Sequence, residues 1–165
     1  MAQQPTRKQN AESGFRASAQ LRESLQRVLV DLLELQFQGK QAHWNVVGTN
    51  FRDTHLQLDE IVAASRRHGD TVAERMRALH ATPDGRSSTV AESTSLPPYP
   101  AGEVSTSDTV DLITERLEAA VATMRDVHDS VDEEDPTTAD ILHAVLEDLE
   151  QYAWMVSAEN RTPAG

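Results

Sequence analysis

Two short stretches of this chain carry side chains whose types and spacing suit metal chemistry: His43, His55 and Asp59, then Asp70 and Glu74. His55 and Asp59 stand four residues apart, as do Asp70 and Glu74, so on a helix each pair faces one side. Imidazole and carboxylate donors without thiolate suit iron(II), manganese or zinc. One chain cannot bring all five to one ion, because fifteen residues separate His55 from Asp70, roughly 22 Å of helix at 1.5 Å per residue. Two arrangements remain. Either the pairs are unrelated, or a second copy packs antiparallel, so that the His43/His55/Asp59 end of one helix meets the Asp70/Glu74 end of the other. A two-fold axis near Ser65 would do this and would generate two equivalent sites. The competing reading is ordinary surface charge, with Glu74 paired to Arg77 and Asp70 to Arg67.

Helices must position these residues, and the apolar periodicity supplies four. Leu21, Leu25, Val28, Leu32 and Leu35 step by four and three, a stripe that predicts a first helix running to about Val47, with Gly48 as its stop. Asn50 is the expected N-cap of a second helix to about His80, striped by Leu58, Val62, Ser65, Gly69, Val72, Met76 and Leu79. The small residues at its middle predict a close contact. Residues 81–107 carry Pro83, Gly85, Pro97, Pro98, Pro100 and Gly102, which leaves room for at most a short helix near Ser88–Ser93. The third helix, capped by Ser105 or Ser107, follows Val110, Ile113, Leu117, Ala120, Met124, Val127 and Val131. The fourth starts at Asp135-Pro136 and runs to about Asn160. Short first and last connections with one long crossover predict an all-α, ferritin-like four-helix bundle over residues 14–160, with a flexible polar tail at 1–13 and a short tail at 161–165.

Composition narrows the function. The 165 residues carry 15 Lys+Arg against 27 Asp+Glu, a net charge of −12 that opposes phosphate and favours cations. The absence of cysteine removes disulfides, zinc thiolates, iron–sulfur clusters and cysteine nucleophiles together. No stretch reaches the length of a membrane span, and the polar start lacks a secretory h-region, so a cytoplasmic location is expected. There is no Glu-x-x-His, the motif of di-iron sites built within one bundle.

The string Lys40-Gln-Ala-His43-Trp44-Asn45-Val-Val-Gly48, continuing through Phe51, His55 and Asp59-Glu60 to Asp70-Thr-Val-Ala-Glu74-Arg75, closely resembles the signature of the Dps family, the dodecameric miniferritins. Thr137-Thr-Ala-Asp140-Ile-Leu and Tyr152-Ala-Trp154 resemble the family's last helix, so the likeness covers Leu21–Asn160. The Val28–Leu35 and Glu74–Leu79 stretches look most like the actinobacterial second type.

The resemblance implies a ferroxidase that oxidises iron(II), with hydrogen peroxide preferred over dioxygen. It stores the ferric product as mineral in a hollow shell of two-fold dimers, and so protects DNA from oxidative damage. It matches His43 of one subunit with Asp70 and Glu74 of its two-fold partner as iron ligands, His55 and Asp59 completing a weaker second site. Trp44 is expected beside the centre, either trapping stray radicals or filling the dimer contact. The acidic region Asp129, Asp132 and Asp140 is expected to line a pore admitting iron, Asp140 foremost, against the alternative of a solvated face. His68, His80, His128 and His143 receive no role. DNA contact through Arg7 and Lys8 is an alternative or additional function, a nucleoid-compacting shell with iron chemistry secondary. It is opposed by the roughly −144 that twelve such bodies would carry.

Overall fold

The computed structural model describes residues 14–163. Their elements are α1 (Ala19–Asn45), β1 (Val46–Val47), α2 (Phe51–Ala78), α3 (Ser87–Ser93), β2 (Val104–Ser105), α4 (Thr106–Glu134) and α5 (Pro136–Ala158). The N-terminal tail, with Arg7 and Lys8, lies outside the described residues, as do the last two positions of the C-terminal one.

The four long helices form the expected bundle. The α1 stripe is buried from Leu21 to Leu35 against stripes from α2, α4 and α5, including Leu58, Ile61, Val72, Ile113, Leu117, Met124, Leu142 and Leu149. Burying each such side chain contributes about 1.5–3 kcal/mol, which is why the spacing of four and three dictates the packing faces. The small-residue contact in α2 is real: a Cβ at Gly69 would lie 3.8 Å from Leu32 and Leu33 of α1. Gly39 of α1 matters more, because a Cβ there would stand 2.9 Å from Val62 Cγ2. This close approach brings the C-terminal half of α1 directly against the first half of α2.

The long crossover is clamped by buried polar groups. Asp31, 2% exposed, accepts hydrogen bonds from Thr94 Oγ1 at 3.0 Å, Ser95 N at 2.8 Å, Ser95 Oγ at 2.5 Å and Thr123 Oγ1 at 2.7 Å. Arg116, equally buried, donates to Gln38 Oε1 at 2.8 Å and to the Leu112 and Pro98 carbonyls at 2.9 and 2.7 Å, with its guanidinium 5.4 Å from the Tyr99 ring centre. A buried carboxylate at Thr94–Ser95 and a buried guanidinium at Pro98 thus grip neighbouring points of the Pro-rich connection through charge-assisted hydrogen bonds.

Three local expectations are corrected. The first helix stops at Asn45 rather than about Val47, because Val46 and Val47 leave it to pair in parallel with Val104 and Ser105. The reversal uses left-handed backbone at Gly48 (φ 122°) and at Asn50 (φ 59°). Asn50 does precede α2, but its side chain does not cap the helix; its amide donates to Glu159 Oε1 at 2.6 Å, tying the end of α5 to this turn. Asp135 likewise sits at the N-cap position before Pro136 without bonding the helix amides. Its carboxylate accepts from Arg75 at 2.7 Å and from Thr138 Oγ1 at 2.5 Å. Ser105 caps α4 as expected, accepting from Asp108 N at 3.1 Å.

Candidate metal centre

His43, in the last turn of α1, and His55, in the second turn of α2, meet across the Val46–Asn50 reversal. Their contact is reciprocal. His43 Nδ1 lies 3.0 Å from the His55 carbonyl and His55 Nδ1 lies 2.9 Å from the His43 carbonyl. A carbonyl only accepts, so each Nδ1 carries a hydrogen and Nε2 is the nitrogen each ring has left to offer a metal. The rings stack with centroids 3.7 Å apart at 22°, and Phe51 leans on His55 at 5.1 Å. This is the tautomer a metal requires, with backbone oxygens fixing the rings from behind.

Asp59 lies one helical turn beyond His55 and completes the set: ligand atoms of His43, His55 and Asp59 all fall within 4.8 Å of one another. His43 is buried and the other two half-buried. Asp59 already has a cation. Lys40, three residues before His43 on the same face of α1, donates from Nζ to Asp59 Oδ1 at 2.5 Å. That bond, with the charge of Lys40 and the nearby His43 and His55, outweighs the desolvation of Asp59 and holds its carboxyl below the usual carboxylate range. Lys40 stands outside the set that metal-ligand spacing selects. Its spacing to His43 carries the signal.

Asp70 and Glu74 lie exposed on the far half of α2. The helix is unbroken between His55 and Asp70, so their separation stays at roughly 22 Å. They do not join the histidine cluster within this chain. Nor do they pair as surface charges with the arginines that were the alternative, since Arg67 binds Asp148 at 3.0 Å and Arg77 caps the Ala81 carbonyl at 3.0 Å. An open groove of about 990 Å³ along α1 and α2 runs from Lys40 and Asp59 at one end, past Leu33, Val62 and Ala73, to Asp70 at the other. Ser65 itself is fully buried and bonds the Ile61 carbonyl, so at mid-helix Val62, Ala63 and Arg66 form the outer surface.

Trp44 is 69% exposed, immediately after the buried His43. Asp129, Asp132 and Asp140 are all exposed. Asp129 and Asp140 each stand beside a histidine, His128 and His143 respectively, to which spacing and resemblance assign no role. His68 is buried and its Nε2 lies 2.7 Å from Asp148, a satisfied structural histidine. Among the described residues, no helix is long and apolar enough to cross a membrane.

The family model for the ferritin-like domain matches residues 22–162. "DNA protection during starvation protein" of Agrobacterium fabrum is 37% identical over 131 residues, covering 79% of this chain and 81% of the relative. "DNA protection during starvation protein 2" of Deinococcus radiodurans is 34% identical over 136 residues, covering 82% of this chain, which spans only 56% of that relative's length. The Dps of Microbacterium arborescens, solved in a form described as high-iron, is 33% identical and superposes with a TM-score of 0.81 over 88% of this chain and 98% of that one. The bundle with its single long crossover, the family match across both hairpins and these identities lead to one conclusion: the chain belongs to the Dps family of ferritin-like proteins.

Proposed function

We propose that the protein is a ferroxidase miniferritin, which oxidises iron(II) at sites shared between two copies and stores the ferric product inside a dodecameric shell. The observation that carries the reading is the half-site: two imidazoles whose Nδ1 atoms bond backbone carbonyls, clustered with Asp59, and two carboxylates roughly 22 Å along the same helix. A copy related by a two-fold axis across the Val62–Arg66 surface brings each half-site to its complement, and the groove along α1 and α2 is lined by both Asp59 and Asp70. The Microbacterium relative, solved in a form described as high-iron, supports iron as the substrate.

In this reading His43 of one subunit and Asp70 and Glu74 of the other hold the first iron(II). His55 and Asp59 help hold a second once Lys40 withdraws. Two iron(II) ions give one electron each to hydrogen peroxide, its O–O bond breaks, and two protons complete two waters, leaving two iron(III). Delivering both electrons together releases no hydroxyl radical. Trp44 lies beside the shared site as a radical trap or as part of the dimer contact. Asp140, with Asp132 and Asp129, lines the passage by which cations reach the interior, where converging carboxylates raise local iron concentration.

The test is iron(II) oxidation by peroxide in the wild type and in Asp70→Ala/Glu74→Ala. Rapid oxidation near two iron(II) per peroxide, lost in the variant, with soluble iron migrating at dodecamer mass, is expected. Equal rates in both, with iron precipitating free of protein, would sink the shared site. The relatives' names favour a second role in shielding DNA, for which Arg7 and Lys8 are the proposed contacts. Binding that weakens with salt and disappears when residues 1–13 are removed checks it. A cytoplasmic location, nucleoid-associated when DNA is bound, accords with both roles.

A further inference from the structure

The α4–α5 hairpin holds a second pair of histidines, remote from the centre described above. His128 stands seven residues before Asp135 and His143 eight after it, so folding the hairpin at Asp135 brings them level. Their Nε2 atoms face each other at 2.7 Å, with ring centroids 4.8 Å apart. Behind each ring is a carboxylate: Asp129 Oδ1 lies 3.0 Å from His128 Nδ1, and Asp140 Oδ1 lies 3.5 Å from His143 Nδ1. Glu147, one turn after His143, lines the same open cavity of about 450 Å³. Arg125, the cation beside it, is already bound by Glu150.

We propose that His128 and His143 form a binding site for a borderline divalent metal ion of the zinc(II) class, separate from the iron-oxidising centre. Two opposed nitrogen lone pairs at 2.7 Å coexist only with a hydrogen between them. A metal replaces that hydrogen with two bonds of about 2.0–2.1 Å, which needs the nitrogens to part to roughly 3.3 Å in a tetrahedral site. The side chains have the freedom to do so, His128 being 23% and His143 55% exposed. The Asp129 carboxylate on His128 Nδ1 is the arrangement that orients a metal-bound imidazole and raises its basicity, and Asp140 stands within 3.5 Å of His143 Nδ1 on the other side. Water supplies the remaining ligands, and the carboxylates of Asp129, Asp140 and Glu147 around the cavity balance the dication. With no thiolate anywhere in the chain, imidazole pairs are its best donors for such an ion.

The test is zinc(II) titration of the full-length protein by calorimetry and equilibrium dialysis, in a His43→Ala/His55→Ala background that removes the other imidazole pair. One zinc per chain is expected there, and it should disappear on adding His128→Gln/His143→Gln, with circular dichroism and melting temperature checking the fold. Asp129→Asn should weaken binding about 10-fold, the lower end of the usual effect of removing such a partner. X-ray absorption of the zinc-loaded protein should show two imidazole nitrogens in the shell. Undiminished zinc binding after His128→Gln/His143→Gln, or no zinc bound in the His43→Ala/His55→Ala background, would overturn the proposal. Neither result bears on iron oxidation, which is read separately in His128→Gln/His143→Gln with His43 and His55 intact.

Discussion

Lys40 Nζ sits 2.5 Å from Asp59 Oδ1, so a protein-borne cation already occupies the carboxylate that, with His55, is proposed to hold the second iron(II). The ammonium must leave before a metal reaches this oxygen, and a mobile side chain that is 35% exposed can do so at modest cost. Lys40→Met should therefore tighten the weaker of two iron(II) binding steps, on the order of 10-fold, and leave the stronger one unchanged. Anaerobic iron(II) titration by calorimetry reads both steps. An unaltered second step would show that Lys40 does not compete.

The half-site geometry predicts complementation between inactive chains. His43→Ala and Asp70→Ala should each be inactive alone. In a mixed dimer one site carries both lesions and the other carries neither, so random exchange of equal amounts should restore about a quarter of wild-type oxidation. Sites built within single chains would restore nothing.

Acid stability should depend on the Arg75–Asp135 clamp at the start of α5. Burial raises the Asp135 carboxyl, but the bonds from Thr138 and Arg75 outweigh it and hold the group below its ordinary value. A depressed folded-state value means stabilisation present at neutral pH and lost as the pH falls below about 4 through the folded value. Arg75→Met should flatten that part of a melting-temperature profile against pH. A profile identical to wild type would place the acid lability elsewhere.

Asp31 is the buried acceptor on which the crossover depends. Asp31→Ala leaves Thr94 Oγ1, Ser95 N, Ser95 Oγ and Thr123 Oγ1 without this partner in a site with little water. A loss of about 2–4 kcal/mol is expected in denaturant unfolding, together with faster amide exchange through residues 90–98. Isosteric Asp31→Asn should cost less, since it keeps one oxygen acceptor.

The sequence by itself determined the four helices, their buried faces and the crossover, because each is written in local spacing, whereas the proposed ligands were singled out from the spaced candidates by the resemblance to the Dps family. A stripe at Leu21, Leu25, Val28, Leu32 and Leu35 has one way to be buried, and His55 and Asp59 share a face in any helix. Only the tertiary structure decided what the polar side chains do with that geometry. Asn50 and Asp135 stand where caps belong, yet one is drawn to Glu159 and the other to Arg75, partners more than fifty residues away in the chain. The Lys40 contact with Asp59, the reciprocal His43–His55 bonds and the facing His128 and His143 rings all depend on how closely separate helices approach. That distance is set by residues such as Gly39 against Val62, whose effect no local pattern expresses. Helical periodicity fixes which face a residue occupies. Which of several polar partners it takes is settled by the packing of distant elements, where burial makes one complete set of hydrogen bonds far better than the rest.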